Sequence, residues 1–356
     1  MAKLSLSNIG PMDNRIINGD FDIWQRGTSF APAVNGAFQT DRWEYQNGSD
    51  AVNSILQSTD VPTFAESGHT SKYSLKVDCT TADSAVAATD YVIMIYRMEG
   101  LDVSPLIGKT ITVSFWVKST KTGVFTVSFY NSSTSEGYPV EYTVNASDTW
   151  EKKTVSVLLP TTESWTTSNA VSLTVYFTIM SGSDFQMTPD TWNAGYAIAT
   201  SNQVNGMDNT ANNFLLSQVK MEVGYVATPF TGRLYTEELA LCQRYFEKSF
   251  LYATTPADAA ATPFQDPCVA IAATVVRTGY REYKVLKRTT PTMAAYYVNL
   301  GGAGAGDWSF NMGIWDSGAV TLYSDDRGVN ASIAAAGLTF GDTGIATGHW
   351  TADAEL

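Results

Sequence analysis

Strict alternation of apolar and polar residues most narrows what this chain folds into. Ile111-Thr-Val-Ser-Phe-Trp-Val117 alternates without a break, and so does Val171-Ser-Leu-Thr-Val-Tyr-Phe-Thr-Ile179. Val124-Phe-Thr-Val-Ser-Phe-Tyr130 and Thr154-Val-Ser-Val-Leu-Leu159 follow the same rhythm. Period two with Val, Ile, Phe and Thr predicts half-buried strands. From about residue 13 to 232 such strands are separated by Ser, Thr, Asn and Gly turns, with no helix between them. That pattern predicts an all-β, antiparallel jelly-roll sandwich. Beyond 265 the β patterning returns in Cys268-Val-Ala-Ile-Ala-Ala-Thr-Val-Val276, Tyr280-Arg-Glu-Tyr-Lys-Val-Leu286 and Met293-Ala-Ala-Tyr-Tyr-Val298. A second, smaller β-domain is therefore expected over 266–356. Residues 1–12, with Gly10-Pro11 as a turn, read as an N-terminal arm.

One stretch breaks the rhythm. Thr236 suits an N-cap, and Glu237 and Glu238 would sit in a first helical turn, where the dipole favours acids. Leu239, Cys242 and Phe246 recur at i, i+3 and i+7, one face of a helix over 236–250. A helix of that length is marginal alone in water and must pack, on a domain or on copies of itself. These three residues are the expected assembly face, and 233–265 is read as helix plus Ala/Thr/Pro-rich linker.

Composition removes several functions. The chain has 356 residues, 44% of them hydrophobic, enough for two cores. Its net charge of -13 argues against a nucleic-acid partner, which needs clustered Lys and Arg. No apolar run reaches the ~20 residues of a membrane span. The N-terminus lacks the apolar core of a secretory signal. The three cysteines, Cys79, Cys242 and Cys268, fit no zinc spacing and read as buried free thiols. The two histidines, His69 and His349, lie in no metal-spaced cluster, and no Gly-x-Ser-x-Gly elbow is present. Adjacent acids such as Glu237-Glu238 and Asp325-Asp326 point apart and make poor acid–base pairs. No enzyme is expected. Gly301-Gly-Ala-Gly-Ala-Gly306 reads as a plain turn, because no helix or Lys-Ser/Thr follows it to make a phosphate loop.

Several motifs come in a telling order. Asn14-Arg-Ile-Ile-Asn-Gly-Asp-Phe-Asp22 opens the first module, and Tyr73-Ser-Leu-Lys-Val77, Thr112-Val-Ser-Phe-Trp-Val-Lys118 and Phe214-Leu-Leu-Ser-Gln-Val-Lys-Met-Glu-Val-Gly224 follow. Over roughly 14–230 the series resembles galactose-binding-like jelly rolls, the fold of many carbohydrate-binding modules. That resemblance implies a structural calcium near the paired terminal strands, with Asp20, Asp22 and Glu222 in the matching regions. Asp22 departs from the usual Glu, and Ser217 stands where the closing strand often has Asp. It also implies glycan binding. Alternation puts Trp116, Tyr130 and Tyr176 on non-core faces among hydroxyl residues, the pattern of an aromatic platform for a sugar. Trp24, Trp43, Trp165 and Trp192 are read as core or loop anchors.

The stretch Tyr225-Val-Ala-Thr-Pro-Phe-Thr-Gly-Arg-Leu-Tyr-Thr-Glu-Glu-Leu-Ala-Leu-Cys-Gln-Arg-Tyr-Phe246 resembles the connector of tailed-bacteriophage tail, fibre and spike proteins. There a sandwich-like module ends in E-x-G-x-x-A-T-P-F and a short helix leads to a C-terminal β-domain. The resemblance implies a virion structural protein (tail fibre, tailspike or head-fibre component), made in the host cytoplasm and displayed on the virion surface. Its implied partners are its own copies, most simply as a homotrimer, other virion proteins and host cell-surface polysaccharide. Two other readings stay open: a purely architectural decoration or adaptor protein, and a polysaccharide-active enzyme or its binding module.

Overall fold

The computed structural model describes residues 14–260, 262–300 and 302–356. The expected arm at 1–12 lies outside them. The chain divides into two compact units. The first holds the residues up to Trp24, Thr28–Glu238 and Leu356; the second holds Gln25–Gly27 and Leu239–Glu355.

The first unit is built from thirteen strands: β1 Ser29–Phe30, β2 Ala37–Thr40, β3 Trp43–Asn47, β4 Val52–Ser58, β5 Ser74–Thr81, β6 Tyr91–Glu99, β7 Thr110–Ser119, β8 Gly123–Asn131, β9 Glu136–Val144, β10 Glu151–Leu158, β11 Val171–Ser181, β12 Asn193–Ala194 and β13 Asn213–Val223. They form a six-stranded sheet, β1-β4-β5-β13-β7-β10, and a seven-stranded sheet, β12-β9-β8-β11-β6-β3-β2. Every ladder in the two sheets is antiparallel. The predicted alternation sets which side is buried. Val113, Phe115 and Val117 of β7 face inward, as do Val175 and Phe177 of β11 and Phe125, Val127 and Phe129 of β8, all fully buried. Aromatic contacts join the two layers: Phe115 lies 5.2 Å from Phe177 and 5.1 Å from Tyr142, and Phe125 lies 5.7 Å from Phe214. This is the expected jelly-roll sandwich.

The helix is shorter than the sequence pattern suggested. It spans Tyr235–Gln243, and Phe246–Lys248 is a strand, β14. The correction has a plain cause. Phe246, Glu247 and Lys248 pair with Asp353, Ala352 and Thr351, and these tertiary ladder bonds outweigh continuation of a weak helix. Phe246 therefore does not share a helix face with Leu239 and Cys242. Cys242 is fully buried, Leu239 half-buried, and Phe246 is buried beneath the Arg26 guanidinium, 3.7 Å from its ring centre.

The second unit continues with β15 Phe264–Ala272, β16 Val275–Thr278, β17 Arg281–Glu282, β18 Thr292–Tyr296, β19 Asp307–Asn311, β20 Trp315–Ser324, β21 Gly328–Ala334 and β22 Thr343–Asp353. Pairing runs β22-β15-β16-β21-β20-β19 and returns from β19 to β22, so six strands form a ring. Inside it pack Cys268, Val276, Trp308, Phe310, Ala331, Ile333 and Ala346. Gly348 lets the Trp308 indole lie flat on the backbone, because a Cβ there would stand 2.3 Å from the ring. Gly302 and Gly306 take positive φ in the turn that leads into β19, a strand rather than a helix. All three cysteines are buried free thiols. No described helix is long and apolar enough to cross a membrane.

Candidate functional site

Alternation put Trp116, Tyr130 and Tyr176 on outer faces, and it did so correctly strand by strand. The structure separates them. Trp116 sits on β7 of the six-stranded sheet, beside Lys152 and Ser217. Tyr130 and Tyr176 sit on β8 and β11 of the other sheet, which faces the opposite way. The three cannot share one platform.

Tyr130 and Tyr176 are also not bare. The segment 183–200 lies across their face and completes a small hydrophobic cluster of Ile93, Ile95, Tyr130, Tyr176 and Ile198, with Phe185 and Tyr91 packed against it. Backbone carbonyls of the segment take the hydroxyls that were expected to bond a sugar. Ser128 Oγ donates to Ala197 O, and Thr178 Oγ1 donates to Ile198 O at 2.6 Å. Gly137 permits the approach, since a Cβ there would stand 2.7 Å from Ala197 O. Burial pushes the Tyr176 hydroxyl far up from its ordinary pKa.

What the segment covers, it replaces. Tyr196 stacks on Tyr130 at 5.1 Å and 25°, lies 6.4 Å from Tyr176, and is 55% exposed. Further along, Trp192 packs against Tyr138 at 5.5 Å and against Trp165 at 5.9 Å, edge to face. All three of those rings are half-buried. Asn193 and Ala194 pair with Gly137 and Glu136 and fix this stretch to the sheet margin. Tyr196 thus keeps an open face above the buried Tyr130 and Tyr176, while Tyr138 shares its side of the sheet with its ladder partner Phe129, so the Trp192 group is separate from it. Such an open face stacks on flat apolar ligand faces at little cost in side-chain entropy. No sequence period marks 183–200, so Tyr196 was not singled out, and Trp192 was read only as an anchor.

The expected calcium trio does not assemble. Asp20 accepts from Ser71 Oγ at 2.6 Å and pairs with His69 Nε2 at 2.9 Å. Glu222 instead clasps its own loop, accepting from Thr228 N at 2.8 Å and Thr228 Oγ1 at 2.6 Å, with Lys220 at 3.2 Å. No group of three or more His, Cys, Asp or Glu among the described residues could hold a metal ion. Asp20 and Asp22, without Glu222, do line a cleft of about 110 Å³ with His69, Phe230, Gly232, Arg233 and Glu238. Arg233 Nη1 reaches Ile16 O at 3.0 Å and Glu238 at 3.1 Å, which holds the stretch after β13 against the start of the module.

Two groups of the cleft should titrate away from their ordinary range. Burial, and then the neighbouring Asp20, push the Asp22 carboxyl up to about 6. The hydrogen bond to Asp20 raises His69. A carboxyl raised in the folded state costs stability above its folded pKa, and the cost disappears as pH falls towards the unfolded value. A raised histidine adds stability below its unfolded pKa and loses it as pH rises through the folded one. Both signs agree. The first unit should melt at higher temperature near pH 5 than near pH 8. Asp22→Asn should flatten the part between about pH 4 and 6 in calorimetric melts. An unchanged pH slope in that variant would disprove the assignment.

The second histidine is structural in its surroundings. His349 is buried, stacks on Phe250 at 3.9 Å, and is held by Ser249 Oγ at 3.0 Å and Thr262 O at 2.5 Å. Ser249 Oγ also accepts from Trp350 N, so this serine and histidine are tied into the backbone.

No family model matches the sequence, and no curated protein matches it. Among solved structures the chain is similar to the enzymatically active domain of tailspike protein 4 of bacteriophage CBA120, at 12% identity and a TM-score of 0.33. That match covers 59% of this chain but only 21% of that one. It is similar also to the carbohydrate-binding module TmCBM61 in complex with β-1,4-galactotriose, at 11% identity and 0.31, over 60% of this chain and 99% of that one. The family 11 carbohydrate-binding module of the cellulosomal cellulase Lic26A-Cel5E of Clostridium thermocellum matches at 11% and 0.31, over 62% and 99%. Similarities this low leave the fold resting on the sheet pairings described above.

Proposed function

We propose that this is a non-catalytic virion surface protein of a tailed phage, a fibre or spike component whose jelly-roll unit binds host-surface glycan. The observation that carries the glycan reading is the exposed Tyr196, stacked on Tyr130 beside Tyr176. A large ring held in place by buried rings with one face open to solvent is pre-organised for the flat apolar face of a sugar to stack on. The connector that ends in Ala-Thr-Pro-Phe230 and leads into the helix supports the virion setting, as does the same resemblance for assembly as a homotrimer with other virion proteins. No metal enters this reading.

The test is a glycan array probed with the full-length chain, followed by titration of the best ligand. Tyr196→Ala should weaken binding by roughly 1–3 kcal/mol, the scale of a lost aromatic contact, with no loss of fold because the ring is largely outside the core. Trp116→Ala should leave binding unchanged, since it lies on the other sheet. Equal binding by Tyr196→Ala and the parent would overturn the site. An array with no signal against polysaccharides of any candidate host would favour a purely architectural role.

A further inference from the structure

The outer face of the second unit carries a group of side chains that the fold itself does not use. Val276, Ala331 and Ile333 of β16 and β21 point into the core, and Val320 and Leu322 of β20 pack against it. Their sequence neighbours therefore point outward. Arg277, Ser332 and Thr321 lie side by side across the three strands, and one step along the same face Asn330 stands opposite Tyr323. Tyr280 completes the group. Its ring lies over the outward side of Gly328, where a Cβ would stand 2.7 Å from it. Its hydroxyl donates to Asp325 Oδ1 at 2.6 Å, which fixes the ring. All six are open to solvent: Tyr280 is 51% and Tyr323 53% exposed, and none of the other four is buried. Among the described residues no hydrogen bond or ion pair engages the side chains of Arg277, Thr321, Asn330 or Ser332. The Arg277 guanidinium rests over the Tyr323 ring, 5.8 Å from its centre.

We infer that this face is a second binding site, for a saccharide that carries a carboxylate, such as a uronic acid. It goes beyond the jelly-roll reading and does not depend on it. A planar guanidinium binds a carboxylate through two parallel hydrogen bonds. The two tyrosine rings offer apolar faces to sugar rings. Thr321, Ser332 and Asn330 can both donate and accept, as sugar hydroxyls require. One cation among uncharged groups suits a sugar acid, which sets one carboxylate amid hydroxyls. An acidic peptide would bring several carboxylates to that single cation. The local charge balance permits the approach of a polyanion. The second unit holds nine Lys and Arg against eleven Asp and Glu, so it carries only two of the thirteen net negative charges of the chain.

The experiment titrates the full-length chain by calorimetry at pH 7 and low salt. The probes are galacturonate and glucuronate oligomers, their methyl esters, which keep the sugar and lose the charge, and a glutamate oligopeptide. An acidic oligomer should bind about tenfold tighter or more than its ester, the difference being a charge-assisted pair. Raised salt should shrink that gap. Arg277→Gln should abolish the preference, and Tyr323→Ala should weaken both forms, with thermal melts unchanged because both side chains lie outside the core. Tyr196→Ala should alter none of this. No binding of either acidic oligomer, equal affinity for acid and ester, or a preference that survives in Arg277→Gln would overturn the inference. Tighter binding of the glutamate peptide would overturn it too, and would mark the face as a contact for acidic protein. The site lies wholly in the second unit, so its failure leaves a Tyr196-dependent array signal standing, and loss of that signal leaves this site standing.

Discussion

Replacing Lys287 with Met in the full-length chain is expected to destabilise the second unit by about 3–5 kcal/mol. The Lys287 side chain is completely buried and Glu247 nearly so. The ammonium donates to Glu247 Oε2 at 2.6 Å, to Gln243 O and to Val285 O at 3.1 Å. Glu247 also accepts from Lys284 N, at 3.1 Å and 3.2 Å through its two oxygens. Burial pulls the lysine pKa down, and Glu247 opposes that pull. Losing the lysine strands a carboxylate in the interior and frees two carbonyls at once. Losing both charges is different. The double change Lys287→Met with Glu247→Leu should recover most of the stability, because well-packed apolar groups replace a buried pair at little net cost. Chemical denaturation of the parent, both single variants and the double variant decides this. A Lys287→Met variant within 1 kcal/mol of the parent would show that the pair is unimportant.

The second large effect belongs to the sandwich. Phe115→Ala should cost about 3–5 kcal/mol, through lost burial and the cavity left behind. The ring is fully buried and is the point where β7 of one sheet meets β9 and β11 of the other. At roughly 2–4 °C per kcal/mol for a unit of this size, the melt should fall by roughly 6–20 °C. The neighbouring Trp116→Ala points out of the same strand and should cost far less. A smaller loss for Phe115→Ala than for Trp116→Ala would mean that the inward face of β7 had been misassigned.

How much of this was legible in the sequence depends on what each segment packs against. β7, β8 and β11 each turn their apolar face to the core between the sheets, so their alternation is faithful to the structure, down to which residues point inward. The same rule placed Tyr130 and Tyr176 outward and could not foresee that 183–200 would cover them. That segment is held by side-chain hydroxyls, a close glycine and short pairings, none of which leaves a period. Alternation also assigns faces within a strand but says nothing of which sheet the strand joins, and so Trp116 was grouped with residues on the far side. Helical spacing ran on through Phe246, but ladder bonds to Asp353 and its neighbours, more than a hundred residues away, decided the matter. Glu247 and Lys287 meet across 40 residues, and Asp20 meets His69 across 49. Such polar pairs depend on tertiary distance alone, and neither a motif nor a composition announces them.

The ring of strands in the second unit has a bearing on crowding. An open sheet ends in a row of unused N–H and C=O groups that any similar chain can join, which is the usual seed of runaway stacking. In β22-β15-β16-β21-β20-β19 each strand has a neighbour on both sides, so none of the six is an edge along its whole length. Only short pieces such as the three residues of β14 and the five of β18 border it. A protein set beside its own copies in a homotrimer, as proposed here, would thereby be less prone to sticking strand to strand. Contacts between copies at this unit would then fall mainly to side chains, which evolution can tune one residue at a time.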